Sequence, residues 1–319
     1  PGEIPIFDCS TTLGTNSTVI GMYISNCDYV RIEGIEVKDL EQSEADLNAV
    51  IGLQVDGCYG VQVVQCNVHD IQGYGVYNFN SDSTHWLNCD VYKCGDLYTG
   101  WEDANGFNCT GGDASTDVTV EGCRFWWCSD DGLDLFGIDG TFYLINNWSF
   151  WNGFEPGTFT PAGDGYGFKL GPAATDQSGS PIRRYVWGNM AFGNLTGGFT
   201  QNSGQMKYQL YNNMSYYNGT YGFTWIWHTG ITQVSMNNAA YGNEYNQDGS
   251  PIEGSYNTWN GSVTFDNSDI LSRDSTLAIA PRDQYGNLPS VPFLRLVTTS
   301  DLIDAANDVG FPYRGAAPD

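Results

Sequence analysis

One short pattern returns along most of the chain: two apolar or small residues two positions apart, followed by a polar or glycine turn. It is seen in GIEVKD (34–39), QCNVHD (65–70), NCDVYK (88–93), GCRFWW (122–127), NWSFWN (147–152), NMAFGN (189–194), NMSYYN (213–218) and NAAYGN (238–243). A period of two puts both apolar positions on one face of a strand. The first ladder would then run Ile35, Cys66, Cys89, Cys123, Trp148, Met190, Met214 and Ala239. The second would run Val37, Val68, Val91, Phe125, Phe150, Phe192, Tyr216 and Tyr241. The shortest intervals cluster near two dozen residues and three are longer, as expected of stacked coils carrying insertions. Coils about 4.8 Å apart, each covering the apolar face of the next, make a parallel β-helix with one continuous core.

The asparagines after the second ladder (Asn152, Asn194, Asn218, Asn243) read as structural turn residues, able to take left-handed backbone and to bond within their own turn. Insertions near 40–50, 95–105 and 154–181 should form loops on one face, often the binding face. The 319 residues read as a single β-helix domain over 1–319, with 265–319 as a C-terminal tail packed on it and room for flanking segments beyond either end. The nine cysteines do not have metal-site spacing. Cys66, Cys89 and Cys123 share a ladder position, as do Cys94 and Cys128; a Cys94–Cys128 disulfide and buried free thiols both fit that stacking.

Composition agrees with many short strands: there are 40 glycines, and long amphipathic helical stretches are absent. The net charge of −25 excludes a general nucleic-acid surface. No apolar run is long enough to span a membrane. Sequons at Asn16, Asn108, Asn147, Asn194, Asn213, Asn218 and Asn260 would permit glycosylation in a eukaryotic host. The expected product is a secreted monomer.

The densest chemistry is SDDGLDLFG (129–137). Asp130, Asp131 and Asp134 cannot be buried together without a cation, and oxygen-only ligands favour a hard ion such as calcium. Asn105, one coil below, could add an amide oxygen. One coil above, GDGYGFKLG (163–171) carries Lys169, one of four lysines in the chain; it reads either as a groove base or as a surface lysine paired with Asp164. Between 165 and 207 stand four bases, Lys169, Arg183, Arg184 and Lys207, against the single acid Asp176. Such a strip would suit a chain of sugar carboxylates, and an arginine fork grips a carboxylate at two points.

At this point the sequence resembles polysaccharide lyase family nine, the pectate and rhamnogalacturonan lyases with a right-handed parallel β-helix. The matching motifs are ANGF (104–107), SDDGLDL (129–135), GYGFKLG (165–171), GGFTQNSG (197–204), YNNMSYYNGTYGF (211–223) and SDLIDAANDVGFPY (300–313). The resemblance implies that Asp130, Asp131 and Asp134 hold Ca2+ and that Lys169 is the Brønsted base of a β-elimination. It implies an acidic polysaccharide, polygalacturonate or rhamnogalacturonan, as the partner, with Arg183, Arg184, Asn202 and Lys207 against it. The family has an aspartate where this chain has Asn105, so the metal shell loses a charge while keeping an oxygen. Asp103 is the nearby acid that could substitute.

Two other readings stand beside this one. A non-catalytic, polysaccharide-binding or structural β-helix fits Asn105 and the acidic surface. A β-helical glycoside hydrolase would need Gly-His-Gly and Arg-Ile-Lys motifs, and His69, His85 and His228 lie outside any such context. TWIWHTG (224–230) is neutral, since Trp225 and Trp227 could stack sugars or cap the core.

Overall fold

A computed structural model describes residues 4–11, 18–43, 50–111, 116–172, 179–225, 231, 233–249 and 252–319. Asn16, Asp176, Trp227 and His228 lie outside these. Three nine-stranded parallel sheets form among the described residues, and the chain visits one strand of each in turn before rising to the next coil. The first sheet runs from Ile6–Asp8 to Ala239–Tyr241, the second from Val19–Ser25 to Tyr245–Gly249, and the third from Arg31–Glu33 to Ile252–Glu253. This is the expected parallel β-helix.

The core lies inside the three walls. The first sheet supplies Val37, Val68, Val91 and Phe125, and the second Leu53, Val76, Phe107 and Leu133. Higher up, the register differs from the predicted ladder by one residue. Phe125 pairs with Ser149, then Ala191, Ser215 and Ala240 follow. Phe150, Phe192, Tyr216 and Tyr241 are therefore on the outer face, aligned with Trp126 and Tyr92. A one-residue slip reverses every side chain of a strand; it escapes the eye here because both faces are apolar. The small inner residues leave room for the stacked rings of Phe168, Phe199 and Phe223 on the second sheet, 5.0 and 4.7 Å apart.

The outer ring column is continuous: His69, Tyr92, Trp126, Phe150 and Phe192 stack at 4.2–5.6 Å. Phe265, Ile270, Ala278, Phe293 and Leu294 of the C-terminal segment cover it and form a second core. The segment is also pinned by charge. Asp90 receives Arg124 at 2.6 and 2.8 Å and Arg282 at 2.7 and 3.1 Å, and Arg124 Nη1 donates to the carbonyls of Ala278 and Ala280.

Two amide ladders continue the two cysteine columns. The Cys123 N–H donates to Asn147 Oδ1, and Asn147, Asn189, Asn213, Asn238 and Asn257 follow, each donating to the Oδ1 of the next. The Cys128 N–H donates to Asn152 Oδ1, and Asn194, Asn218 and Asn243 follow likewise. The asparagines thus bond between coils, and Asn152, Asn218 and Asn243 also bond within their own turns, to Ser149 Oγ, Ser215 Oγ and the Tyr241 carbonyl. Positive φ falls on the preceding residue, Trp151, Gly193, Tyr217 or Gly242. Five predicted sequon asparagines, Asn108, Asn147, Asn194, Asn213 and Asn218, are buried and closed to glycosylation. All nine cysteines are free thiols, Cys94 and Cys128 included.

The 95–105 insertion lies where the first sheet turns into the second, and strand Tyr166–Lys169 interrupts the 154–181 stretch. Residues 44–49 of the first insertion and 173–178 of the third lie outside the described residues. Trp225 is wholly buried and stacks on Tyr208 at 4.9 Å, so it belongs to the core.

Candidate functional site

The site is built on the outer face of the second sheet, where three coils bring Asn108, Asp134 and Lys169 into register. An inward-facing glycine recurs in each coil, just before the strand at Gly106 and Gly132 and within the strand at Gly167. At Gly132 a Cβ would collide with Ser149 Oγ and the Gly167 carbonyl, and Gly106 and Gly167 face the interior in the same way. Missing side chains at that position let the backbone bend sharply inward, so that Asp131 before the bend and Asp134 after it both project outward.

Lys169 is the centre of the cluster. Its Nζ lies 2.8 Å from Asp164 Oδ2, 3.0 Å from Asp131 Oδ2 and 3.9 Å from Asp134 Oδ2. The expected Asp164 pair is present, although Lys169 is largely buried and lines the groove rather than the open surface. Asp131 is enclosed and fully engaged: its Oδ1 accepts the Tyr166 N–H at 2.7 Å, and its own N–H donates to Asn105 Oδ1 at 3.0 Å. Asn105 thus spends its oxygen in bracing two coils. Asp134 Oδ1 accepts from Asn202 Nδ2 at 3.1 Å. Asp130 accepts the backbone N–H groups of Asp164 (3.1 Å) and Asp103 (3.2 Å).

Burial dominates the electrostatics. It pushes Asp130 up to about 9, with Asp131 adding to the shift and Lys169 opposing it. It pushes Asp134 to about 7 against the pull of Lys169, and it raises Asp131 too, opposed by Lys169 and the Tyr166 N–H. Burial alone would lower Lys169, but Asp131, Asp134, Asp130 and Asp164 together outweigh it and hold the ammonium well above its ordinary range. A charged Lys169 needs an ionised partner, and Asp131, with a donor on each oxygen, is best placed to be it.

A second grouping overlaps the first. Glu102, Asp130 and Asp164 each offer a carboxylate oxygen, all within 4.8 Å of one another. Of the expected calcium ligands only Asp130 is in this trio; Asp131 and Asp134 turn to Lys169, and Asn105 to the backbone. Glu102 and Asp164 were not among the expected ligands; their signals in the sequence are an acid in the 95–105 insertion and one between Gly163 and Gly165. Asp103 reaches the site through its N–H.

The open groove beside Lys169 is lined by Phe136, Asp164, Tyr166, Thr200, Gln201 and Asn202. Of the expected basic strip, Lys169 lines it and Arg183, Arg184 and Lys207 do not. Arg184 is a correction: it points inward, in register between Phe142 and Tyr208, with its guanidinium 4.8 Å from the Phe142 ring and donating to the carbonyls of Leu170, Ile138 and Gly140. It is wholly buried and cannot meet a substrate. Arg183 donates to the Asp139 carbonyl at 2.7 Å. The register puts Lys207 one coil above Arg183, at the entry to the third sheet.

This arrangement has counterparts among known proteins. The family described as "Pel9A-like, right handed beta helix region" matches residues 1–274. Pectate lyase L of Dickeya chrysanthemi is 33% identical over 253 residues, covering 78% of this chain and 56% of that protein, so the chain spans little more than half of this relative. The crystal structure of pectate lyase Pel9A superposes with a TM-score of 0.75 at 26% identity, over 94% of this chain and 72% of the other. A rhamnogalacturonan lyase shares the fold with a TM-score of 0.78 at 23% identity, over 93% and 77%. With three parallel sheets, the outward acidic cluster and a match over most of its length, the chain belongs to the Pel9A-like family of right-handed β-helices.

Proposed function

We propose that the chain cleaves a uronate-containing, pectic polysaccharide by β-elimination, with Lys169 as the base and Ca2+ as the cofactor, outside the cell. The observation that carries this reading is one lysine held by Asp131, Asp134 and Asp164 beside an open groove. A uronate substituted at C4 breaks without water when its C5 proton is removed and the C4 oxygen leaves. The oxygen-only trio Glu102, Asp130 and Asp164 fits a hard divalent cation. Bound there, the cation supplies a counter-charge to the substrate carboxylate and to the charge that develops as the proton leaves.

Asp131 and Asp134 position the lysine, Asp131 by direct contact at 3.0 Å. Asp164, half exposed, belongs both to the lysine and to the trio. Only the neutral amine can accept the C5 proton, and a cation held by the trio would weaken the pull of Asp164 that keeps Lys169 protonated. Asn202, Arg183 and Lys207 are the polar groups proposed to meet the sugar chain. The test is a panel of purified acidic polysaccharides, with calcium or with chelator, monitored for ultraviolet absorbance of the unsaturated product. Loss of polymer without that absorbance would rule out elimination.

A second reading, a binding β-helix without turnover, draws support from Asn105 and from the firmly charged lysine. Calorimetric titration with a uronate oligosaccharide would then give binding with no unsaturated product at any pH.

A further inference from the structure

We propose that Cys27 and Cys58 are a modification site: an oxidisable pair whose disulfide ties the first coil of the helix to the second. The two residues hold the same place in adjacent coils, since Ser25 pairs with Asp56 before them and Asp28 with Tyr59 after them. Adjacent parallel strands lie about 4.8 Å apart, within the roughly 4.4–6.8 Å between Cα atoms that a disulfide accepts. The two sulfurs are already 3.4 Å apart.

Access singles out this pair. Cys27 is half-buried, whereas Cys9, Cys58, Cys66, Cys89, Cys94, Cys109, Cys123 and Cys128 are buried. A reagent in solution therefore meets Cys27 first and finds Cys58 directly behind it. Other stacked thiols, such as Cys66 and Cys89, have no accessible member.

The location gives the bond a purpose. Strand Ile6–Asp8 is exposed throughout and Val19–Ser25 is only partly buried, whereas Val50–Asp56 in the next coil is almost wholly buried. Of the two coils, the one that holds Cys27 is the less buried, so a covalent tie acts on the more weakly packed of the pair.

The reaction is exchange with a small-molecule disulfide. The Cys27 thiolate attacks one sulfur of that disulfide, releasing one small thiol and leaving a mixed disulfide on Cys27. The Cys58 thiolate then attacks the Cys27 sulfur and releases the second small thiol. The protein pair loses two electrons and two protons, and both appear in the two released thiols.

The test uses the whole chain, fully reduced and then incubated under native conditions with oxidised glutathione. Intact mass should fall by two hydrogens, one linked peptide should contain Cys27 and Cys58, and seven of the nine thiols should titrate after denaturation. Proteolytic cleavage within the first coil should slow several-fold on oxidation, and Cys27→Ser or Cys27→Ala should abolish that response while leaving polysaccharide cleavage unchanged. Glutathione remaining on Cys27, a link between other cysteines, nine titratable thiols, or equal proteolysis of the two redox forms would each overturn the proposal.

Discussion

Two clusters of buried charge sit on this helix, and they are balanced in opposite ways. At the C-terminal clamp, one carboxylate, Asp90, takes four short hydrogen bonds from Arg124 and Arg282. Burial would raise its pKa, but the two guanidinium groups win and hold it below its ordinary value. At the groove, one ammonium faces Asp130, Asp131, Asp134 and Asp164, and the buried acids are pushed up instead. The clamp is saturated and has nothing left to bind. The groove carries surplus acid that added protons or a cation would relieve, the imbalance on which its proposed role rests.

The comparison breaks most visibly in activity. Lys169→Ala should lose about 100- to 10,000-fold in turnover of polygalacturonate or rhamnogalacturonan, read as the rate of unsaturated product, with the circular dichroism of the fold unchanged. A variant that keeps most of its rate would remove the lysine from the chemistry. Asp90→Ala should do the reverse, costing about 3–5 kcal/mol in denaturant unfolding because two buried arginines lose their partner. A loss near zero would show that the aromatic cover alone holds the tail.

Smaller effects sharpen the contrast. Calcium at about one hundred times its Kd should stabilise the protein by about 2.7 kcal/mol, and Glu102→Gln should remove most of that gain. If Asp134→Asn removes it and Glu102→Gln does not, the cation belongs among the acids beside Lys169. The pH dependence should be the gentlest difference. Asp130 and Asp134 have folded values raised to about 9 and about 7 from 3.8, so the folded state holds more protons than the unfolded one across that range. Their contribution to stability falls as pH rises from about 4 toward 9. Asp90 has a depressed value, so its contribution is present above 3.8 and is lost as pH falls through the folded value. In chelator, Asp130→Asn should be more resistant to denaturant than the parent at pH 8 and indistinguishable near pH 4.

The solenoid was legible because coil-to-coil stacking writes itself as a repeat, and Lys169 was legible because lysine is so scarce. The inner and outer faces were not. Once the tail buries the far side of the first sheet, Phe150 and Phe192 look as core-like as Phe125, and only the partner strands decide between them. Arg184 misled for a related reason: a guanidinium can be buried where backbone carbonyls saturate it, and no local pattern announces those carbonyls. Glu102 and Asp164 stand on loops whose approach to Asp130 depends on how far the insertions fold back, which spacing does not encode.

The asparagine ladders give the molecule a polarity. In both rows every Oδ1 accepts from the preceding coil, while each Nδ2 donates one hydrogen to the next Oδ1 and another back to a carbonyl of the preceding coil, so the side-chain carbonyls of a row all point one way. The electronegative ends of both rows fall at Cys123 and Cys128, in the coil from which Asp130 and Asp131 project. The scaffold is thus an oriented array whose negative pole lies beside the acids. Reversing the direction of the rows would leave the fold intact and favour cation binding less.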